Sequence, residues 1–369
     1  MKRSFKNSHP LTSTGETKTA QPLVVLSVAL VLFAGVAFAA FLSRSKSNPP
    51  AVSEIISTAK PTTRLAEFLA LKTERLEGTD IALMNLLCAE GLPGAESLNV
   101  VECLATLDQW AQHAKRETER NQHRFREDPA YFYNSEAFYK MLMLAVVVYE
   151  DFGVRYNPKW IASPSEISGP DHFFADSRDI LIHGLLSPHP VPLPVGRGEG
   201  GRRPGEGMGT CSSMPVLYIA LGRRLGYPLK LVTARQHLFM RWDSPKERFD
   251  MEATGKGLEK YDDEHYKKWP FPITEQEIKA QDYLKSLSTR EELSVFLSIR
   301  GACLTEVGRL ADATASFEAA YRYAPNWKVN QVIFAEAQQR QQGQVSLTTA
   351  NMPADLNPLR QRQNPKRNP

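Results

Sequence analysis

Cysteine is scarce and scattered in this chain: 369 residues hold four, Cys88, Cys103, Cys211 and Cys303. That number and spacing exclude a disulfide framework, and the lack of any Cys-x-x-Cys pair excludes the usual zinc and dithiol motifs. An excess of one charge sign is also missing from the body of the chain. The formal charge of +4 resides in the ends, where residues 1–22 and 344–369 contribute +3 each and leave −2 for everything between them. A basic nucleic-acid-binding domain would show its footprint on the folded part, so no nucleic-acid partner is expected. With 42% hydrophobic residues the chain has ample material for a core, which rules out a wholly disordered protein.

One long apolar run is present. Residues 23–42 read LVVLSVALVLFAGVAFAAFL, without a charge. At about 1.5 Å rise per residue such a run reaches across a bilayer core of about 30 Å. The sequence therefore predicts one transmembrane helix over 23–42 and a single-pass membrane protein, with the basic tail 1–22 cytoplasmic and the bulk of the chain outside. The rival reading is a cleaved signal peptide, supported by Ala37-Phe38-Ala39 and opposed by the long polar lead before the apolar run.

Residues 43–62 are polar with Pro49, Pro50 and Pro61, and read as a stalk. Residues 63–160 read as helical. Ile81, Leu83, Leu86 and Leu87 come after a capping Asp80; Val100, Leu104, Leu107 and Trp110 mark a second helix, and 138–152 a third. Cys88 and Cys103 fall on these apolar faces and read as buried hydrophobes. Residues 188–207 are dense in Pro and Gly, excluding regular structure, and read as a low-complexity insertion rather than a lid or polyproline ligand. Over 290–343, Gly301, Leu304, Ala313, Phe317, Ala320 and Pro325 carry the offsets of a tetratricopeptide repeat, a helical hairpin that must dock on the core or on a helix over 329–339. Residues 344–369 read as a polar, disordered tail.

The chemistry concentrates in Gly209-Thr-Cys-Ser-Ser-Met-Pro215 and the segments just C-terminal to it. Met214, Leu217, Tyr218, Leu221 and Leu225 form a helical stripe, Pro215 is tolerated only in a first turn, and Gly226 stops the helix. Cys211 thus stands at a helix N-terminus, where unpaired N–H groups and the helix dipole favour a thiolate and offer hydrogen bonds to an oxyanion. A strand over 228–233 and a hairpin of 237–242 with 248–253 come next. With Trp242 opposite Arg248, His237 lies opposite residues 252–253, which selects Glu252 as the carboxylate that orients the imidazole and leaves Asp250 as the alternative, about 7 Å farther along. A thiol, an imidazole to take its proton and a carboxylate to hold the imidazole are the parts of thiol nucleophilic catalysis. Asp176, Asp179 and His183 read as parts of an inward-packed helix, with a site-lining role as the other reading. His265 reads as a surface residue.

Residues 80–257 resemble the transglutaminase-like superfamily, in a bacterial branch with a helical N-terminal region and a tetratricopeptide-type segment. The match lies in Asp80-Ile-Ala-Leu-Met84, Gly153-Val-Arg-Tyr-Asn157, residues 174–184, the Cys211 run, His237-Leu-Phe-Met-Arg-Trp242 and residues 248–255. The resemblance implies an α+β, papain-like core over 161–289, with Cys211 similar to the family nucleophile and His237 to its base. Glu252-Ala-Thr254 departs from the family's Asp-Pro-Thr, and the insertion before Gly209 is a second departure. It further implies acyl transfer or amide hydrolysis on protein or peptide substrates through a thioester. With nothing resembling the calcium loops of animal cross-linking enzymes, no metal and no cofactor are expected. The alternative is a catalytically idle scaffold that binds a protein partner, the C-terminal helices being a candidate partner surface.

Overall fold

Short polar residues placed just ahead of apolar runs start the helices of the N-terminal half. The computed structural model describes residues 26–27, 64–71, 76–162, 173–186, 207–254 and 259–350. A strand β1 (Leu26–Ser27) and a helix α1 (Arg64–Leu69) come first. In α2 (Ile81–Ala89) the Asp80 carboxylate accepts from the Ala82 amide at 2.9 Å. In α3 (Val100–Arg120) the Asn99 side chain accepts from the Val101 and Glu102 amides. A short α4 (Gln122–Glu127) leads to α5 (Glu136–Val146), where Ser135 Oγ accepts from the Phe138 amide. Each cap satisfies donors that a helix start leaves unpaired. α5 widens into a π turn over Val147–Asp151, so the helix expected to 152 has its last turn unwound. α2 is buried on nearly every side, not on one face.

The middle of the chain is made of short pieces: β2 (Arg155–Tyr156), β3 (Ile161–Ala162), α6 (Ser177–Ile180), α7 (His183–Leu186) and β4 (Met208–Gly209). The single helix expected within 174–184 is broken because Leu181 takes an extended backbone, φ −121° and ψ 154°. β2 and β4 pair in parallel, Arg155 with Met208 and Tyr156 with Gly209. Helix α8 (Met214–Arg224) comes next, buried continuously from Met214 to Gly222. A helix apolar all round belongs at the centre of a fold. On one side it meets α2, α3 and α5, and on the other the sheet of β5 (Leu229–Ala234), β6 (His237–Asp243), β7 (Arg248–Met251) and β8 (Lys260–Tyr261), antiparallel in that order. Leu231, Leu238, Met240, Trp242, Phe249 and Met251 face the main core that includes α8, and burial of each large side chain contributes about 1.5–3 kcal/mol. Val232, Ala234 and Phe239 face the other way, into a smaller cluster with Tyr266 and Tyr283.

After the sheet come α9 (Asp263–Tyr266), α10 (Glu275–Gln281), α11 (Thr289–Glu306), α12 (Leu310–Tyr323) and α13 (Lys328–Ala350). A capping box between Ser288 and Glu291 starts α11. α11 and α12 pack closely where Gly301 meets Phe317: a Cβ at Gly301 would lie 2.5 Å from the ring. α12 stops just ahead of Pro325, and this helical pair rests on α2 through α11 and on α13 through α12. α13 continues through residues 344–350, which were expected to belong to a disordered tail.

The expected transmembrane helix, and with it the single-pass membrane location, is corrected. Among the described residues no helix is long and apolar enough to cross a membrane. Of residues 23–42, only β1 is described, and it is a strand that pairs antiparallel with β3, Leu26 with Ala162 and Ser27 with Ile161. Ladder pairing commits to a second segment the backbone groups that a spanning helix must satisfy within itself. The described architecture is mixed helix and sheet, without the anchor. The rest of 23–42, the tail 1–22, the stalk 43–62, residues 188–206 of the insertion and residues 351–369 lie outside the described residues.

Candidate active site

Cys211 sits in the turn that opens α8, with no solvent exposure. Gly209 allows this approach, since a Cβ there would lie 2.7 Å from Ser213 Oγ and 2.8 Å from the Leu185 side chain. Thr210 and Ser213 fasten the turn from below: Thr210 Oγ1 donates to the Asp179 carbonyl at 3.0 Å and Ser213 Oγ to the same oxygen at 3.3 Å. The Asp179 carboxylate in turn accepts from Asn157 Nδ2 at 2.9 Å and Trp160 Nε1 at 3.0 Å, and the Asn157 amide donates to the Gly209 carbonyl at 2.8 Å. Residues 153–157 and 174–184 therefore serve to hold the turn that carries Cys211. The Ser213 and Met214 amides already donate to the Thr210 carbonyl, and the Ser212 amide to Thr210 Oγ1. Among the amides of this helix start, those of Cys211 and Val216 are not used by these bonds.

His237 opens β6 and Glu252 is the first residue past β7, both on the side of the sheet that faces the smaller cluster. The ladder pairs Trp242 with Phe249 and Met240 with Met251, one residue away from the expected register. Glu252 nevertheless reaches His237 because the chain leaves the ladder after Met251 and the glutamate is long enough to cross a diagonal. His237 Nε2 and Glu252 Oε2 are 2.7 Å apart. The carboxylate is held from its other side by Thr254, whose amide and hydroxyl donate to Oε1 at 2.9 and 2.6 Å, and by the Tyr266 hydroxyl at 3.3 Å from Oε2. Burial is the largest influence on both ionisable groups and opposes their charges. The pair overrides it: the charge of Glu252, with help from the Cys211 thiol, raises the His237 pKa, and the charge of His237 and the Thr254 bonds hold Glu252 below the usual carboxylate range. An ionised carboxylate only accepts, so Nε2–H is the donor and the imidazole is oriented with Nδ1 left over. Nδ1 is buried without a nitrogen or oxygen partner, and the ring also interacts with the Cys211 thiol.

Asp250, the alternative carboxylate, is not brought to His237. It lies opposite Arg241 in the ladder and takes its Nε and Nη2 at 2.5 and 3.0 Å. Asp176 caps α6 and pairs with Arg178, and His183 Nε2 lies 3.2 Å from Ser177 Oγ; neither lines the site. Cys88 and Cys303 are buried away from it, with thiols pushed up to about 12 by burial, and burial raises Cys103 to about 11. His265, expected at the surface, is half-buried there and stacked on Tyr261 at 4.0 Å, with Trp269 at 5.3 Å. Among the described residues no group of His, Cys, Asp and Glu side chains is disposed to hold a metal ion.

Cys211 and His237 line a narrow cleft whose far wall is built by α11, Trp327 and the start of α13. Trp269 closes over the imidazole edge-on, 4.9 Å between ring centroids. These walls were missed in the sequence because they come from segments remote in the chain, and no spacing rule links them to Cys211. Comparison with known proteins finds no matching family model, no matching curated protein and no matching solved structure.

Proposed function

We propose that Cys211, His237 and Glu252 form a thiol acyl-transfer site that acts on amide bonds of protein or peptide substrates, in the manner of the transglutaminase-like superfamily that the sequence resembles. The observation that carries this reading is the His237–Glu252 pair at 2.7 Å, with the helix-start thiol of Cys211 interacting with the same imidazole beside a narrow cleft. Nδ1 takes the proton that leaves the thiol, and Glu252 stabilises the imidazolium so formed. The thiolate attacks the carbonyl carbon of the amide. The Cys211 amide, which the bonds of the turn leave unused, donates to the resulting oxyanion. The imidazolium returns its proton to the departing amine, leaving a thioester on Cys211, and an amine or water then takes the acyl group and restores the thiol. No step requires a metal or a cofactor. The glutamate that replaces the family's aspartate is compatible with this role, because Thr254 fixes its far oxygen.

The thioester is the testable species. Incubation with a peptide library and a labelled primary amine, quenched in acid, is expected to give an acyl adduct on the Cys211 peptide by mass spectrometry, absent in Cys211→Ala. Complete lack of adduct and of amine incorporation across the library would remove the proposed activity.

A further inference from the structure

The cleft in front of Cys211 has an uneven polar inventory. Most polar side chains in its far wall are consumed by the fold. Gln281 Oε1 accepts from the Val329 amide at 3.0 Å, and Asn330 Nδ2 donates to Ser294 Oγ at 3.0 Å and to the Ala324 carbonyl at 3.2 Å. Ser298 Oγ in turn donates to Asn330 Oδ1 at 3.4 Å. Besides His237 Nδ1, two lining groups are not consumed: Trp327 Nε1 and the Tyr283 hydroxyl are buried without a hydrogen-bond partner, on residues only 4% and 3% exposed. Native folds rarely leave such donors unmet unless something else meets them. Burial pushes the Tyr283 phenol up to about 12, so at neutral pH it keeps its proton and remains able to donate.

The rest of the lining narrows the chemistry. Val295, Ile299, Val329 and Leu238 supply apolar surface, and no Asp, Glu, Lys or Arg lines the cleft among the described residues. The wall is also fixed in place. Arg223, in the last turn of α8, donates to both carboxylate oxygens of the buried Glu292 in α11, and Arg300 donates to the carbonyls of Cys88 and Glu90 at 2.8 and 2.6 Å. Arg223 thus ties the helix that carries Cys211 to α11, and Arg300 ties α11 to the residues at the end of α2.

We propose that Trp327 and Tyr283 form a recognition subsite in which the indole N–H and the phenol donate to main-chain carbonyl oxygens of an uncharged, apolar stretch of peptide chain. This rests on the reading of Cys211 as the acyl-transfer nucleophile, and it assigns to the C-terminal helices the choice of substrate. A charged segment is disfavoured there because its side chains would lose hydration with no counter-charge to replace it. A neutral one gains apolar contact and supplies the two missing acceptors.

The test is binding, read on the full chain carrying Cys211→Ala so that no turnover intervenes. Of the five tryptophan indole resonances in the ¹⁵N-labelled protein, that of Trp327 is assigned by its loss in Trp327→Phe. Titration with N-acetyl-Leu-Leu-amide is expected to move that resonance. Affinity is expected to fall about tenfold in Trp327→Phe and in Tyr283→Phe, the loss of about one neutral hydrogen bond. N-acetyl-Glu-Glu-amide and N-acetyl-Lys-Lys-amide are expected to bind at least about tenfold more weakly. An indole that does not move, or a neutral peptide that binds both Phe variants as well as the parent, overturns the subsite. If Trp327→Phe fails to fold, Tyr283→Phe and the charge series still decide the matter. An unreactive Cys211 in the wild type removes the acyl-transfer reading, whereas a still indole alongside a reactive Cys211 removes the subsite alone.

Discussion

Strands β6 and β7 bring together two buried charge pairs, and the two are finished differently. At one end Arg241 spends its guanidinium on Asp250, on the Leu284 carbonyl at 2.9 Å and on Asp263. At the other end His237 gives Nε2 to Glu252 and keeps Nδ1 without a nitrogen or oxygen partner. The first pair joins a group that never gives up its proton to a carboxylate, and its partners enclose it on three sides; it can only hold β6, β7 and the start of α9 together. The second joins a group that exchanges protons to a carboxylate, next to a thiol and a narrow cleft. Burial alone does not distinguish structure from chemistry here, since both pairs are buried. What distinguishes them is that the His237 ring keeps one nitrogen free of the carboxylate and interacts with the Cys211 thiol.

Removing one partner from the finished pair is expected to have the largest effect on stability. Arg241→Ala leaves Asp250 buried and unpaired, and about 3–5 kcal/mol of stability is expected to be lost in a denaturant titration. The paired replacement Arg241→Met with Asp250→Leu is expected to recover most of it. Equal losses in the single and the paired variant would mean that the pair is not what those residues contribute.

The unfinished pair is expected to show a smaller and pH-dependent effect. Glu252→Gln is expected to cost about 1.5–3 kcal/mol, the worth of a hydrogen bond to a charged group. The His237 pKa is raised in the fold, so its share of this stability is fully present below the ordinary value of 6.5 and is lost as pH rises through the raised value. The Glu252 pKa is lowered, so its share is present above 4.5 and is lost as pH falls through the depressed value. The difference in unfolding free energy between wild type and Glu252→Gln should therefore be greatest between 4.5 and 6.5 and decline on both sides. A difference that does not vary with pH would show that the two groups are not a charge pair.

The smallest effect is expected at Thr254→Val, which keeps the amide bond to Glu252 Oε1 and removes only the hydroxyl. About 1 kcal/mol is expected. The accompanying readout is a slower reaction of Cys211 with iodoacetamide, because a looser Glu252 orients His237 less well. Unchanged reactivity would place Thr254 outside the support of the site.

Much of the site was legible because its determinants are local. A proline tolerated only in a first turn fixed where α8 begins, and strand alternation put His237, Phe239 and Arg241 on one side. The choice between Glu252 and Asp250 shows the limit of that logic. The residue named from the sequence is the one beside His237, but the assumed register was one residue off, and the contact comes from the chain leaving β7 and from the length of the glutamate. Hydropathy over 23–42 misled for a related reason: it scores a segment alone and cannot register that Leu26 and Ser27 pair with β3, far along the chain. Trp327, Tyr283 and Trp269 left no signal at all, since only tertiary packing carries them to the cleft. Asp179 was visible but misassigned to simple helix packing; its carbonyl and carboxylate are what tie the Cys211 turn to Asn157 and Trp160.

The most direct test is the rate at which iodoacetamide alkylates each of the four cysteines, resolved by mass spectrometry in wild type and in His237→Ala. The expected result is that Cys211 reacts fastest by far in the wild type and slows at least about 100-fold in His237→Ala, the range of a lost general base, while Cys88, Cys103 and Cys303 stay slow in both. Equal, slow labelling of Cys211 in the two proteins would contradict the assignment of Cys211 and His237 as a working pair.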